Sequence, residues 1–153
     1  MSDVRELYQE IILDHNRRPR NMHSMPDATG KAEGFNPLCG DKVTVYLKVE
    51  DGVVRDVSFQ GSGCAISTAS ASLMTEGVKG KTVEEAEALF RRIHDLLTGP
   101  DEMVLDAEAE EALGKLVVFS GVRNYPMRVK CATLSWHTFK SAVKGEEASV
   151  TTE

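Results

Sequence analysis

The sequence predicts an α+β fold, in which a small antiparallel sheet of about three strands is packed on one side by about five helices. Alternating apolar and polar residues on both sides of Asp51-Gly52 predict the sheet, and apolar residues at helical spacing elsewhere predict the helices. The chain has 153 residues with no internal repeat or linker, which predicts one domain. A domain near that length buries about 70% of the surface that its unfolded chain exposes, so a core is available.

The strands follow from the pattern around Asp51-Gly52. Residues 43–49 and 53–59 alternate between apolar and polar side chains, and Asp-Gly between two such runs is a strong hairpin signal. The polar segment 21–34 contains Pro26 and two glycines. We therefore expect this segment and the residues that lead to Cys39 to form a loop, with at most a short edge strand.

Three helices are predicted before residue 98. Apolar residues recur at i, i+3 and i+4 over residues 4–12, and Pro19 ends this first helix. Residues 65–74 are rich in small side chains, which allow a helix to pack closely on the sheet. The sequence Thr82-Val83-Glu84-Glu85 matches a capping box and begins a clearly amphipathic helix.

Two further helices are predicted in the C-terminal part of the chain. A short helix is expected over residues 106–113, and the last helix is expected to start near Cys131, after a loop over residues 121–126. Residues 145–153 are small, polar and acidic without an apolar face, so we expect a disordered tail. The predicted domain therefore comprises residues 1–144.

Composition and charge argue against several classes of partner. The chain carries 18 basic and 24 acidic side chains, a formal net charge of −6, and no basic stripe with interleaved aromatic residues, so we expect no nucleic-acid partner. No apolar run approaches the ~20 residues that span a bilayer, and the N-terminus lacks the apolar core of a signal peptide. We therefore expect a cytoplasmic protein with no membrane partner.

The three cysteines suggest a shared chemical role. Their number is odd and no secretion signal precedes them, which favours reduced thiols over a disulfide framework. Cys39 lies in a glycine-containing turn before a strand, Cys64 lies between a strand and a helix, and Cys131 is expected where the last helix begins. Thiols at the ends of elements can converge, and a helix N-terminus at Cys64 and at Cys131 favours the thiolate. Taken singly, each cysteine could equally be a buried, inert side chain.

Asp41 adds a carboxylate to these thiols. It follows Cys39 by two residues, and three cysteines with one aspartate make a four-ligand set that zinc accepts. A carboxylate in this set, without a Cys-x-x-Cys motif, points to a site whose coordination can change. Such a site is net negative, and Arg128 and Lys130 just before Cys131 can offset that charge. The alternative for these two basic residues is a solvated loop.

Other chemical constellations are weaker. Gly61-Ser62-Gly63-Cys64 on a strand-to-helix turn is similar to a nucleophile elbow, but no histidine with an orienting partner assembles beside it. His94 and His137 lie within predicted helices, where a structural role is the commoner outcome. His15 and His23 flank the first loop, and contact with a partner stays open for both.

Three stretches of the sequence carry motifs of one known family. They are residues 8–15 with Pro19-Arg20-Asn21, then Asn36-Pro37-Leu38-Cys39-Gly40-Asp41, and then Gly61-Ser62-Gly63-Cys64-Ala65-Ile66-Ser67. Together they resemble the opening helix and the first two ligand motifs of the IscU-like (NifU N-terminal) iron–sulfur assembly proteins. Such a resemblance implies an IscU-like fold for almost the whole chain.

The third ligand region decides which branch of that family the chain resembles. IscU-type scaffolds carry His-Cys in this region, whereas the present chain has Lys130-Cys131. The stretch between the second and third cysteines, including residues 98–120, is also longer than in IscU scaffolds. Both differences make the resemblance one to the SufU branch.

The resemblance implies a zinc-dependent sulfurtransferase that takes persulfide sulfur from a SufS-type cysteine desulfurase, upstream of a SufB-type scaffold. In that family the cysteine matching Cys39 accepts the sulfur after a histidine of the desulfurase replaces it on Zn²⁺. Cys64, Cys131 and Asp41 would then hold the metal, and Arg128 would stabilise the thiolate or the docked state. Two alternatives stay open: a transient iron–sulfur cluster on the same cysteines, or a purely structural zinc.

Overall fold

The structure, a computed structural model, describes residues 2–37, 40–98, 111, 113–144 and 149–151. Its elements are, in chain order, α1 Ser2–Arg17, β1 Gly30–Asn36, β2 Asp41–Glu50, β3 Val53–Ser62, α2 Ala65–Val78, α3 Val83–Thr98, a 3-10 helix Gly114–Asn124, α4 Pro126–Val143 and β4 Ser149–Thr151.

The sheet has the strand order β3-β2-β1-β4. Strand β2 pairs antiparallel with β1 and with β3, while β4 pairs parallel with β1. The predicted hairpin between β2 and β3 is confirmed, because Asp51 at φ 53° and Gly52 at φ 74° form the left-handed turn that joins such strands. On β2 the inward side chains Val43, Val45 and Leu47 are buried, whereas the residues between them are more exposed.

Helices α2 and α4 pack on one face of this sheet and form the core with it. Trp136 and Phe139 of α4 and Phe59 of β3 are among the largest fully buried side chains. Helix α3 begins with the predicted capping box, since the Thr82 hydroxyl accepts the Glu85 N–H at 3.1 Å and the Glu85 carboxylate accepts the Thr82 N–H at 3.0 Å. The predicted α+β class is confirmed, with helices on one side of a sheet in which β1, β2 and β3 are antiparallel. A fourth strand, β4, adds a parallel pairing that the sequence did not predict.

Strand β1 is longer than the sequence predicts. Residues 30–36 form a full strand, not a loop with a short edge strand. A Cβ at Gly34 would overlap the Thr138 hydroxyl, and one at Gly30 would overlap the backbone oxygen of Ala142. The two glycines that indicated a loop therefore allow β1 to lie directly against α4.

Helix α4 begins at Pro126, well before the predicted start near Cys131. Proline is favoured at the first helical position because its fixed φ suits the helix and its missing N–H is not needed there. The loop predicted over residues 121–126 is therefore wrong, since the 3-10 helix reaches Asn124 and α4 follows Tyr125. Cys131 lies in the second turn of α4 and not at its N-terminus.

The C-terminal residues differ in part from the prediction. Ser149–Thr151 form β4 beside residues 33–35 of β1, so disorder does not hold for this part of the predicted tail. Residues 145–148, 152 and 153 lie outside the described part of the chain, as does most of the helix predicted over residues 106–113. The domain limit at residue 144 stays a prediction.

Across the described ranges, no helix is both long enough and apolar enough to cross a bilayer.

Candidate metal centre

Three of the four predicted metal ligands come together in the structure. One ligand atom from each of Asp41, Cys64 and Cys131 lies within 4.8 Å of the other two, and within the described ranges this is the one group of acidic, cysteine or histidine side chains so arranged. Asp41 and Cys131 are buried, and Cys64 is partly exposed. Cys39 lies outside the described residues, so its place in the site stays a prediction.

Asp41 is positioned by the turn between β1 and β2. The N–H of Gly40 donates to the backbone oxygen of Asn36 at 2.8 Å, and Gly40 has a φ of 74°, a left-handed conformation that favours glycine. Asn36 and Asp41 are paired across the two strands. Both ends of the connection that carries Cys39 are thus held at the metal centre.

The Asp41 carboxylate has two different neighbours. Oδ1 accepts the backbone N–H of Cys64 at 2.9 Å, and Oδ2 lies 4.0 Å from Cys64 Sγ. A Cβ at Gly63 would overlap Oδ1, so the Gly-Cys sequence permits this close approach. Oδ1 therefore orients the Cys64 backbone, while Oδ2 faces the candidate metal centre together with the Cys64 thiol.

Cys64 occupies the N-cap of α2, as the predicted strand-to-helix junction requires. Its backbone is extended, with φ −72° and ψ 169°, and its Sγ accepts the N–H of Ser67 at 3.4 Å. The sulfur thereby satisfies one of the N–H groups that a helix start leaves without a backbone partner. The cap fixes where the Cys64 sulfur lies relative to Asp41 and Cys131.

Cys131 is held differently from the way the sequence suggested. The helix dipole favours anions most at the first turn. Because α4 begins at Pro126, Cys131 lies beyond that turn. Its Sγ lies 3.5 Å from the Met127 carbonyl oxygen, and the Nδ2 of the buried Asn36 donates to the same sulfur at 3.7 Å. Asn36 therefore belongs to the site, although from sequence it is visible only as the first residue of a motif.

Arg128 lies beside the two described thiols. The charge of Cys64, followed by a hydrogen bond with Cys131 and the charge of Cys131, raises the pKa of the Arg128 guanidinium. The side chain is exposed, one turn before Cys131 on α4. A permanent cation at the open side of a cluster of anionic ligands offsets part of their repulsion.

The histidines lie in other surroundings. His15 is buried, with Nδ1 2.7 Å from the Ser72 hydroxyl and Nε2 3.5 Å from Glu76, which indicates a structural role. His94 and His137 pack edge to face against each other, with ring centroids 6.2 Å apart. Both fit the structural role that the sequence analysis favoured for helical histidines.

A comparison with known protein families decides the relationship of the chain. The model of the NifU-like N-terminal domain matches residues 7–132, which include Asp41, Cys64 and Cys131. The chain belongs to the NifU-like N-terminal domain family. The predicted resemblance is thereby confirmed at the family level.

Relatives in this family match over nearly the whole chain. A protein of Thermotoga maritima, named iron-sulfur cluster assembly scaffold protein IscU, is 44% identical over 90% of this chain and 93% of its own length. A protein of Bacillus subtilis, named zinc-dependent sulfurtransferase SufU, is 38% identical over 92% of each chain. The family thus includes relatives with both names.

A solved structure in the family has the same fold. It is the crystal structure of FiSufU from Fervidobacterium islandicum AW-1, described as an iron-sulfur cluster assembly scaffold protein for the SUF system. It is 36% identical, has a TM-score of 0.79 and covers 88% of this chain and 94% of its own. The fold prediction is therefore confirmed by an independent structure as well.

Proposed function

We propose that the chain is a zinc-dependent sulfurtransferase of iron–sulfur cluster assembly, which takes persulfide sulfur from a SufS-type cysteine desulfurase. The observation that carries the proposal is the convergence of Asp41, Cys64 and Cys131, with ligand atoms within 4.8 Å of one another. The Bacillus subtilis relative, whose name includes zinc-dependent sulfurtransferase, supports the choice of metal and reaction. The proposal places the protein in the cytoplasm, where thiols stay reduced.

The donor set fits zinc. Two thiolates and a carboxylate are ligands that Zn²⁺ accepts in tetrahedral sites, and Cys39, in the connection between β1 and β2, would be the fourth. Cys39, Asp41, Cys64 and Cys131 would hold the ion. When bound, Zn²⁺ supplies positive charge that keeps these cysteines deprotonated at neutral pH.

Cys39 is the proposed acceptor because the sequence predicts a glycine-containing turn around it, whereas Cys64 caps α2 and Cys131 lies within α4. In the proposed step the Cys39 thiolate attacks the terminal sulfur of the desulfurase's cysteine persulfide. A sulfur–sulfur bond to Cys39 forms, the donor's sulfur–sulfur bond breaks, and the donor cysteine leaves as a thiolate. The sulfane sulfur passes unchanged in oxidation state, so the step needs no oxidant.

Arg128 is proposed to assist this transfer by charge. Its guanidinium lies beside Cys64 and Cys131, and its exposed position allows it to reach an incoming group. As Cys39 leaves the site, a histidine of the desulfurase would complete the ligand set in its place. The sulfur would then continue towards a SufB-type scaffold.

A second candidate function is a scaffold for a transient iron–sulfur cluster. The names of the Thermotoga maritima relative and of FiSufU favour it, because both include the word scaffold. Lys130, directly before Cys131, supports the sulfurtransferase, because this residue is one of the two differences that make the chain resemble the SufU branch. Reconstitution with iron and sulfide discriminates the two: a stable cluster that displaces zinc would favour the scaffold, and its absence the sulfurtransferase.

The acceptor role is tested by desulfurase turnover. With a SufS-type enzyme and cysteine, the wild-type chain should raise the rate of alanine formation and acquire one sulfur atom, visible by mass spectrometry. Cys39→Ala should abolish both effects. Stimulation that persists, together with a persulfide on the Cys39→Ala chain, would contradict the proposal.

A further inference from the structure

Asn36 is a buried side chain at the metal centre for which the proposed reaction has no role. It is the last residue of β1, and its side chain is inaccessible to solvent. Its Nδ2 donates a hydrogen bond to Cys131 Sγ at 3.7 Å, across 95 residues of sequence. Burying an amide is costly unless it is hydrogen-bonded, so this contact constrains both partners.

The backbone of Asn36 holds a second part of the site. Its carbonyl oxygen accepts the Gly40 N–H at 2.8 Å, and Asn36 is paired with Asp41 across β1 and β2. The residue therefore contacts the Cys131 thiol through its side chain and Gly40, at the end of the connection between β1 and β2, through its backbone. It joins two segments that each supply a proposed ligand.

We propose that Asn36 is a positioning residue of the metal centre, which orients the Cys131 thiolate and so determines how slowly the site releases its metal. This inference rests on the proposed zinc site. An N–H donor to a metal-bound thiolate fixes the direction of the sulfur lone pairs and withdraws some of its charge. Loss of such an outer partner typically weakens metal binding 10–100-fold.

Two substitutions separate the donor from the volume of the side chain. Asn36→Asp keeps the shape but replaces the donor with a carboxylate that repels the thiolates, and Asn36→Ala removes the side chain. The matched control is Asn21→Asp, because Asn21 Nδ2 donates to Thr75 Oγ1 at 3.0 Å in the contact between α2 and the loop after α1, away from the cysteines. Asparagine and aspartate both tolerate the left-handed φ of 58° at Asn21.

The first measurement is the rate of zinc transfer to a chromophoric chelator, without a desulfurase. We expect the rate to rise about tenfold in Asn36→Ala and further in Asn36→Asp, and to stay at the wild-type value in Asn21→Asp. The second measurement is the absorption of the Co²⁺-substituted proteins. Thiolate-to-cobalt charge-transfer bands should shift in both Asn36 variants and not in the control.

The outcomes separate this inference from the proposed function. A wild-type chain that holds no zinc would overturn the proposed function and the role of Asn36 with it. Tight zinc in wild type, with unchanged release and unchanged cobalt bands in the Asn36 variants, would overturn the role of Asn36 alone. Denaturant unfolding of the metal-free proteins completes the test: a variant that is only less stable, without a band shift, would make Asn36 a packing residue and contradict the proposal.

Discussion

Asp41 illustrates how one residue can act on both the backbone and the metal centre. Its Oδ1 accepts the Cys64 N–H at 2.9 Å, while Oδ2 faces the cluster 4.0 Å from Cys64 Sγ. Because the side chain is buried, bulk water cannot take the place of a lost partner of either oxygen. Losing such a partner therefore lowers the stability of the fold. The two oxygens can be tested separately by substitution.

Asp41→Asn should keep an acceptor for the Cys64 N–H but lose the anionic ligand, whereas Asp41→Ala should lose both. We expect zinc affinity to fall in both variants. The free energy of unfolding of the metal-free protein should fall by about 1–3 kcal/mol in Asp41→Ala, because the Cys64 N–H loses its partner. Chelator competition and urea unfolding measure the two effects, and wild-type zinc affinity in Asp41→Asn would remove Asp41 from the ligand set.

His15 gives the metal-free protein a dependence of stability on pH. Burial, with a further contribution from Arg20, lowers the pKa of His15 in the folded chain. Between that pKa and the unfolded value of about 6.5 the unfolded chain binds more protons, so the free energy of unfolding falls as the pH falls. Burial also lowers the pKa of His137. His137 is therefore left unchanged in the comparison of wild type with a His15 variant, so that its contribution is the same in both.

The measurement is urea unfolding of wild type and His15→Asn from about pH 7.5 to about pH 5. Asparagine can still meet the Ser72 hydroxyl, which lies 2.7 Å from His15 Nδ1, but it does not titrate. The variant should therefore lose less stability on acidification than wild type does. Identical pH profiles for the two proteins would show that His15 contributes nothing to the effect.

Some residues of the site can be predicted from sequence and others cannot. Asp41 and Cys64 stand at the ends of elements whose patterns are clear, so their convergence could be expected. The contact between Asn36 and Cys131 spans 95 residues, and no local pattern reports it. Its place as the first residue of the motif Asn36-Pro37-Leu38-Cys39-Gly40-Asp41 is the sequence signal that points to Asn36.

At the scale of elements, the packing of β1 on α4 brings Asn36 and Cys131 together. Gly34 lies against Thr138 and Leu134, and a Cβ there would overlap the Thr138 hydroxyl. This close approach has no local sequence signal other than glycine, which indicates loops more often than strands. For the same reason the length of β1 could not be predicted.

Gly34→Ala should therefore destabilise the fold, by about 1–3 kcal/mol for overpacking, and should loosen the zinc site through β1. Thr138→Ala in the same chain removes the overlapping hydroxyl and should restore part of the loss. Gly121→Ala is the control, because a Cβ at Gly121 meets no atom within 4 Å. Equal unfolding midpoints for Gly34→Ala and Gly121→Ala would contradict the described packing.

Helix boundaries show a second limit of sequence reasoning. The capping box at Thr82 predicts the start of α3 because the two reciprocal hydrogen bonds are local. Pro126 can equally end a loop or begin a helix, and α4 begins there. Cys131 therefore lies in the second turn of α4 and not at its N-terminus. Its sulfur is held by a hydrogen bond from Asn36 and not by the helix dipole.

At the scale of the whole molecule, the proposed metal joins elements that already share an apolar core. Asp41 lies in β2, Cys64 caps α2, and Cys131 lies in α4. These three elements all contribute buried apolar residues to one cluster. The metal is thus expected to add to a fold that is stable without it. The α+β class was predictable at this scale because it depends on periodicity over the whole chain.

Removal of zinc should lower the melting temperature without unfolding the chain at 25 °C. A ligand at one hundred times its dissociation constant stabilises the folded state by about 2.7 kcal/mol, which is the order of the loss expected. Far-ultraviolet circular dichroism before and after a strong chelator measures both points. Loss of the helical signal on chelation would instead indicate a purely structural zinc domain.

The ligand set itself is tested most directly by zinc K-edge X-ray absorption of the protein as purified. We predict one zinc per chain with three sulfur neighbours at ~2.3 Å, from Cys39, Cys64 and Cys131, and one oxygen at ~2.0–2.2 Å from Asp41. Cys39→Ala should lose one of the sulfur neighbours. Iron in place of zinc, or a first shell with only two sulfurs in wild type, would contradict the proposed site.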